Sequence, residues 1–127
     1  MVSGNRLPVP SPESAPVVVE PPGAGPGYWA GAPSAALGPD GTFWLAYRLR
    51  RPVGAGRGYA NVVARSSDGE QFETVTVLAR DEFGCDSLER PALVALGDGT
   101  WRLYVSCASP GTPHWRVDAL DADHPST

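Results

Sequence analysis

The sequence predicts an all-β protein made of two tandem copies of one antiparallel unit. Three observations carry this reading. Fifteen glycines and fourteen prolines in 127 residues cut the chain into pieces too short for helices, and beyond the first few residues no run of ten shows a helical apolar stripe. Apolar residues, an Asp-Gly turn and an aromatic, β-rich run follow one another twice, as GAPSAALGPDGTFWLAY at 31–47 and ERPALVALGDGTWRLY at 89–104. The copies are in phase: Pro33 and Pro91 are 58 residues apart, as are Asp40 and Asp98, and the same shift lays Val75-Thr76-Val77 on Val17-Val18-Val19.

In chain order, residues 1–27 hold seven prolines and read as an extended leader, with one strand candidate at 17–20. The first unit, 28–79, places strands near 34–37, 42–48, 60–66 and 74–78. The second unit, 80–127, places them near 92–96, 101–107 and 115–120, and lacks an outer strand of its own. A four-stranded antiparallel unit of about 40 to 60 residues in tandem is the mark of a β-propeller blade; a duplicated pair of hairpins in a sandwich is the alternative. A propeller ring needs about four blades or more. Two blades are therefore expected to be part of a larger propeller or one unit of a head-to-tail homo-oligomer, in which 17–20, lying in the phase of a fourth strand, completes a neighbour's second blade.

Composition narrows the function classes. A net charge of −4 argues against nucleic acid as the partner. All ten basic residues are arginine, the bias expected of a GC-rich bacterial genome. No apolar run approaches the roughly 18 residues of a membrane span, and no signal-peptide pattern opens the chain, so a cytoplasmic protein without membrane contact is expected. In that compartment Cys85 and Cys107 are expected as free thiols. The Asp-Ala-Asp-His run at 121–124 has only a loose metal-site look and reads as an exposed tail. No metal or cofactor is expected.

Antiparallel geometry sends the loop before the first strand and the loop between strands two and three to one side, and the Asp-Gly turns to the other. The first side collects Trp29 before the first unit and Arg50, Arg51 and Arg57 in its long loop. From the second unit come Asp86, Glu89 and Arg90, with His114 in its loop. Arginines bind carboxylates by bidentate pairing, and an exposed tryptophan stacks on sugar rings. Each also has an ordinary packing or solvated role.

The phrases at 33–47 and 89–104, with the Ser-Asp-Gly-aromatic turn at 67–72, resemble the five-bladed β-propeller glycoside hydrolases around families 43, 32 and 130, over roughly residues 28–124. The resemblance implies a carbohydrate partner at the channel face. In that group a Glu two residues before a Pro is the general acid, a pattern met by Glu89 and Pro91. An Asp-Pro pair supplies a second carboxylate there, but this chain has Ala32 before Pro33. Asp86 is then the nearest second acid, with Trp29, Arg50, Arg51, Arg57, Arg90 and His114 as substrate-binding residues. Glycoside hydrolysis ordinarily requires two carboxyl groups flanking the bond. Two readings follow: a hydrolase-like unit that binds or cleaves a carbohydrate, or a non-catalytic module that binds a glycan or a protein through the same face.

Overall fold

A computed structural model describes residues 10–126. It is all-β, with strands β1 (Trp29–Leu37), β2 (Phe43–Arg50), β3 (Gly58–Ser66), β4 (Glu73–Ala79), β5 (Ala92–Ala95), β6 (Trp101–Ala108) and β7 (Trp115–Ala122). Short 3-10 turns at Pro12–Ser14, Val53–Ala55 and Arg80–Phe83 are the only helical elements among the described residues. The strands form two antiparallel sheets in sequential order, β1-β2-β3-β4 and β5-β6-β7. No helix among the described residues is long and apolar enough to cross a membrane.

The seven strands fall where the alternation and the Asp-Gly turns place them, except that β1 starts at Trp29 rather than near 34, because pairing with β2 resumes on the other side of the bulge at Pro33. Both turns are built alike: the Asp40 carboxylate accepts from the Thr42 N–H at 3.0 Å and that of Asp98 from the Thr100 N–H at 3.0 Å. Gly41 and Gly99 take φ values of 85° and 90°, open to glycine at no steric cost. Both prolines interrupt a ladder, as a residue without an N–H must. Pro33 lies in a bulge between Gly31 and Ser34, and Pro91 separates β5 from an isolated Leu88–Cys107 bridge.

The 58-residue shift holds for the first two strands of each sheet. Ser34 pairs with Ala46 and, 58 residues on, Ala92 pairs with Tyr104. It fails for the third strands: Ala46 pairs with Val63 but Tyr104 with Ala119, a shift of 56. One residue of the difference is a longer loop in the first sheet, and the other is Tyr59, extruded by a bulge between Leu49 and Arg50.

The sheets meet face to face. Trp44, Ala46 and Val63 of the first pack on Leu93, Trp101, Leu103, Val105 and Cys107 of the second, with Cys85 and Leu88 from the connecting segment. The Trp44 and Trp101 ring centroids are 6.0 Å apart. Hydrogen bonds cross the seam from Leu93 N–H to Ser34 Oγ at 3.0 Å, from Leu88 N–H to the Gly58 carbonyl at 2.8 Å, and from Gly58 N–H to Ser87 Oγ at 3.1 Å. A side chain at Gly58 would collide with the Leu88 carbonyl. Both thiols are free and buried in this seam, and burial, with the neighbouring Cys85, pushes the Cys107 thiol up to about 12.

Within this chain residues 17–20 form no strand and bend at 18 and 19. They are hemmed in by Pro16 and Pro21, and Val19 packs on the outer face of the first sheet, against the Leu45, Tyr47, Val62 and Ala64 cluster. Residues 1–9 of the leader lie outside the described residues. Nor is 121–124 a frayed tail. Asp121 and Ala122 end β7, Asp121 pairs with Arg102, and the His124 ring stands edge-on to Trp44 at 5.2 Å. The Pro125 carbonyl accepts from Thr76 Oγ1 at 3.4 Å, so the segment straps the two sheets together.

The turn between β3 and β4 holds itself together. Ser66 Oγ accepts from the N–H groups of Asp68 and Gly69, and the Asp68 carboxylate accepts from those of Glu70 and Gln71. These amide donors, Gln71 first, pull the Asp68 carboxyl down to about 2.

Candidate functional site

The candidate residues gather at one end of the sheets, where β1 starts, β2 ends, β3 starts and β6 turns into β7. Five of the ten arginines, Arg48, Arg50, Arg51, Arg57 and Arg90, lie at or near this end of a chain that is acidic overall. Trp29 opens β1 opposite Arg50 at the close of β2, and the Arg50 guanidinium lies 4.4 Å from the Trp29 ring centroid. The ring is still 49% exposed. One residue on, the Arg51 guanidinium sits 3.8 Å over the extruded Tyr59. Two cation–aromatic stacks thus stand side by side on the rim, each orienting a charge without neutralising it.

The loop beneath them is fixed by its backbone. Arg51 N–H donates to the Arg57 carbonyl at 2.8 Å, and Arg57, at φ 54°, donates to the Pro52 carbonyl at 3.3 Å. Arg80 Nη1 donates to the Gly56 carbonyl at 2.7 Å and to the Asp86 carbonyl at 3.4 Å, tying this loop to the segment that enters the second sheet.

Glu89 is partnered. Its carboxylate makes an ion pair with Arg48, whose side chain is largely buried, while that of Glu89 is about one-third exposed. Burial, and then the charge of Arg50, lower the Arg48 guanidinium from its ordinary value. Arg48 faces Asn61 across the ladder, and both amide atoms of Asn61 are buried without a hydrogen-bond partner. This polar cluster closes the strand end of an otherwise apolar seam.

The other candidates do not join it. Asp86 is exposed, makes no ion pair among the described residues, and is held by its N–H to the Ala108 carbonyl at 3.0 Å. Arg90 is exposed, with its carbonyl accepting from Ser106 Oγ at 3.5 Å. His114 is exposed at the base of the β6–β7 loop, directly before β7, with its N–H donating to Thr112 Oγ1. The structure therefore brings together Trp29 with Arg50 and Glu89 with Arg48, and leaves Asp86 apart from Glu89's ion pair. Among the described residues no group of three or more His, Cys, Asp or Glu is placed to hold a metal ion.

Tyr59 and Asn61 are not picked out by the sequence, which reads Arg48 as one of four arginines between 48 and 57 able to bind a carboxylate or phosphate but not as the partner of Glu89. Arg48 had a usable signal: it continues the Trp44, Ala46 alternation and so points into the seam, where a guanidinium needs a carboxylate. Tyr59 had none, because its position depends on a bulge. No protein-family model matches this chain, and no curated protein matches it at a significant level.

Proposed function

We propose that the two sheets are propeller-type blades and that the chain is a non-catalytic module binding an anionic glycan at the Trp29 rim. The observation that carries this is the exposed Trp29–Arg50 stack: an aromatic surface for a pyranose ring beside an oriented guanidinium for a carboxylate or sulfate. Arg51, Arg57 and Arg90 add positive charge on the same side, which favours encounter with an anion. The Arg48–Glu89 pair supports binding over hydrolysis. The pair already engages the Glu89 carboxylate, and Asp86 does not join it, whereas glycoside hydrolysis ordinarily requires two carboxyl groups flanking the bond.

Calorimetric titration with a uronic-acid oligosaccharide and its neutral counterpart tests this. The acidic sugar should bind, the neutral one more weakly, and Trp29→Ala should weaken binding about tenfold. Binding of neither sugar overturns the proposal. Release of an aryl aglycone by the wild type that is lost in Glu89→Gln would reinstate the hydrolase reading in its place.

A further inference from the structure

The repeat identifies what the two outer faces are. By the 58-residue shift, Leu103, Val105 and Cys107, which the second sheet turns to the seam, correspond to Leu45, Tyr47 and Leu49 on the outer face of the first. Conversely Ala36, Trp44 and Ala46, which the first sheet turns to the seam, correspond to Val94, Arg102 and Tyr104 on the outer face of the second; in the third strands Val63 corresponds to Ala119. Ala46 is fully buried, whereas Tyr104 is 37% exposed. The outer face of the first sheet is thus a second copy of one half of the internal interface, and that of the second sheet a second copy of the other half. Two such halves belong together, but one chain carries them on opposite sides.

In the seam the Gly58 backbone abuts the Leu88 carbonyl. The counterparts of Gly58 and Leu88 on the outer faces are Trp115 and Ala30, a large residue where the seam has a glycine and a small one where it has a leucine. Beside Ala30 lies an open apolar groove of about 240 Å³ lined by Val18, Val19, Ala30, Gly31, Leu45 and Tyr47. Trp115 is 48% exposed. Its ring has a receiving surface on the chain's own repeat, though out of its own reach.

We infer that the chain associates head to tail with further copies of itself, the outer face of the second sheet seating Trp115 and Tyr104 on the groove and outer face of the next copy's first sheet. The contact is heterologous, and a rotation that closes gives a ring. With four to eight blades per propeller, such a ring holds two to four copies. The association also provides for residues 17–20. Among the described residues no strand pairs with the outer edge of β7. The relation of β3 to β4, where Val63 pairs with Thr76, puts Val18 of the next copy beside Ala119. The leader becomes a strand there, and as it leaves the groove Trp115 takes the place of Val18 and Val19 against Ala30, Leu45 and Tyr47.

Light scattering behind a sizing column and cysteine cross-linking test this on the full chain. The wild type should have a discrete mass of two to four times 13.3 kDa. Trp115→Glu should shift it to a monomer with unchanged far-ultraviolet circular dichroism, and Trp115→Phe should keep the oligomer. Oxidising a mixture of Val18→Cys and Ala119→Cys proteins should give a disulfide between the two variants that neither gives alone. A wild type that stays monomeric at its highest soluble concentration overturns the inference and leaves the face to another partner. An oligomer that Trp115→Glu does not dissociate, or a mixture that does not cross-link, overturns the head-to-tail geometry.

Discussion

The two sheets share a hairpin register yet differ in what each does with its faces. The first has four strands, a self-bonded β3–β4 turn, a leader valine on its outer face and a flat inner face of Trp44, Ala46 and Gly58. The second has three strands, commits its aliphatic face to the seam and leaves Val94, Tyr104, Trp115 and Val117 in solvent. Residues in one place of the repeat thus have opposite environments. The burial of a position is set by what lies beyond the sheet, not by its place in the unit.

The sharpest way to break this comparison is to truncate equivalent positions. Trp44→Ala removes a buried ring packed on Trp101 and should cost about 4 kcal/mol in urea unfolding, whereas its counterpart Arg102→Ala loses exposed contacts with Asp121 and the Tyr104 ring and should cost less than about 1 kcal/mol. Equal costs would mean that the seam is not the core.

Gly58→Ala comes next. The added methyl meets the Leu88 carbonyl and should cost about 3 kcal/mol. Trp115→Ala, at the matching position, should leave the unfolding of the monomeric form within about 1 kcal/mol of wild type.

Smaller again is Ser34→Ala, which strands the Leu93 N–H and should cost about 1 kcal/mol, while its counterpart is already an alanine, Ala92.

The smallest effect is a pH dependence from the β3–β4 turn, which has no counterpart among the described residues of the second sheet. The folded Asp68 carboxyl lies at about 2, below its usual 3.8, so its contribution to stability is present above about pH 4 and is lost as the pH falls toward 2. Asp68→Asn should flatten the fall in melting temperature across that window. An unchanged slope would show that the turn does not hold its carboxylate.

Much of this was legible in the residues. The Asp-Gly turns and the alternation of Trp44, Ala46 and Arg48 give the strands and their faces, because the pleat has a strict period of two. Trp29 and Arg50 were legible as neighbours in one loop cluster, since antiparallel pairing brings strand ends together. The bulge that extrudes Tyr59 was not, because it is decided by how β2 and β3 settle against Arg51 and the second sheet. Residues 17–20 have the composition of a strand but not its structure: β-propensity expresses itself only against an available edge. The pairing of Arg48 with Glu89 crosses between the sheets and depends on how they dock.

The shared register of the β1–β2 and β5–β6 hairpins bears on the order in which the chain must fold. Laid on β2, strand β5 would repeat the register of β1, with Ala92 opposite Ala46 where Ser34 belongs. Two nearly interchangeable partners are a source of kinetic traps. Synthesis from the N-terminus lessens the ambiguity, because β1 and β2 leave the ribosome well ahead of β5 and have time to pair first. Dilution from denaturant offers both partners at once, so refolding in the test tube has a wrong turning that the nascent chain meets less often.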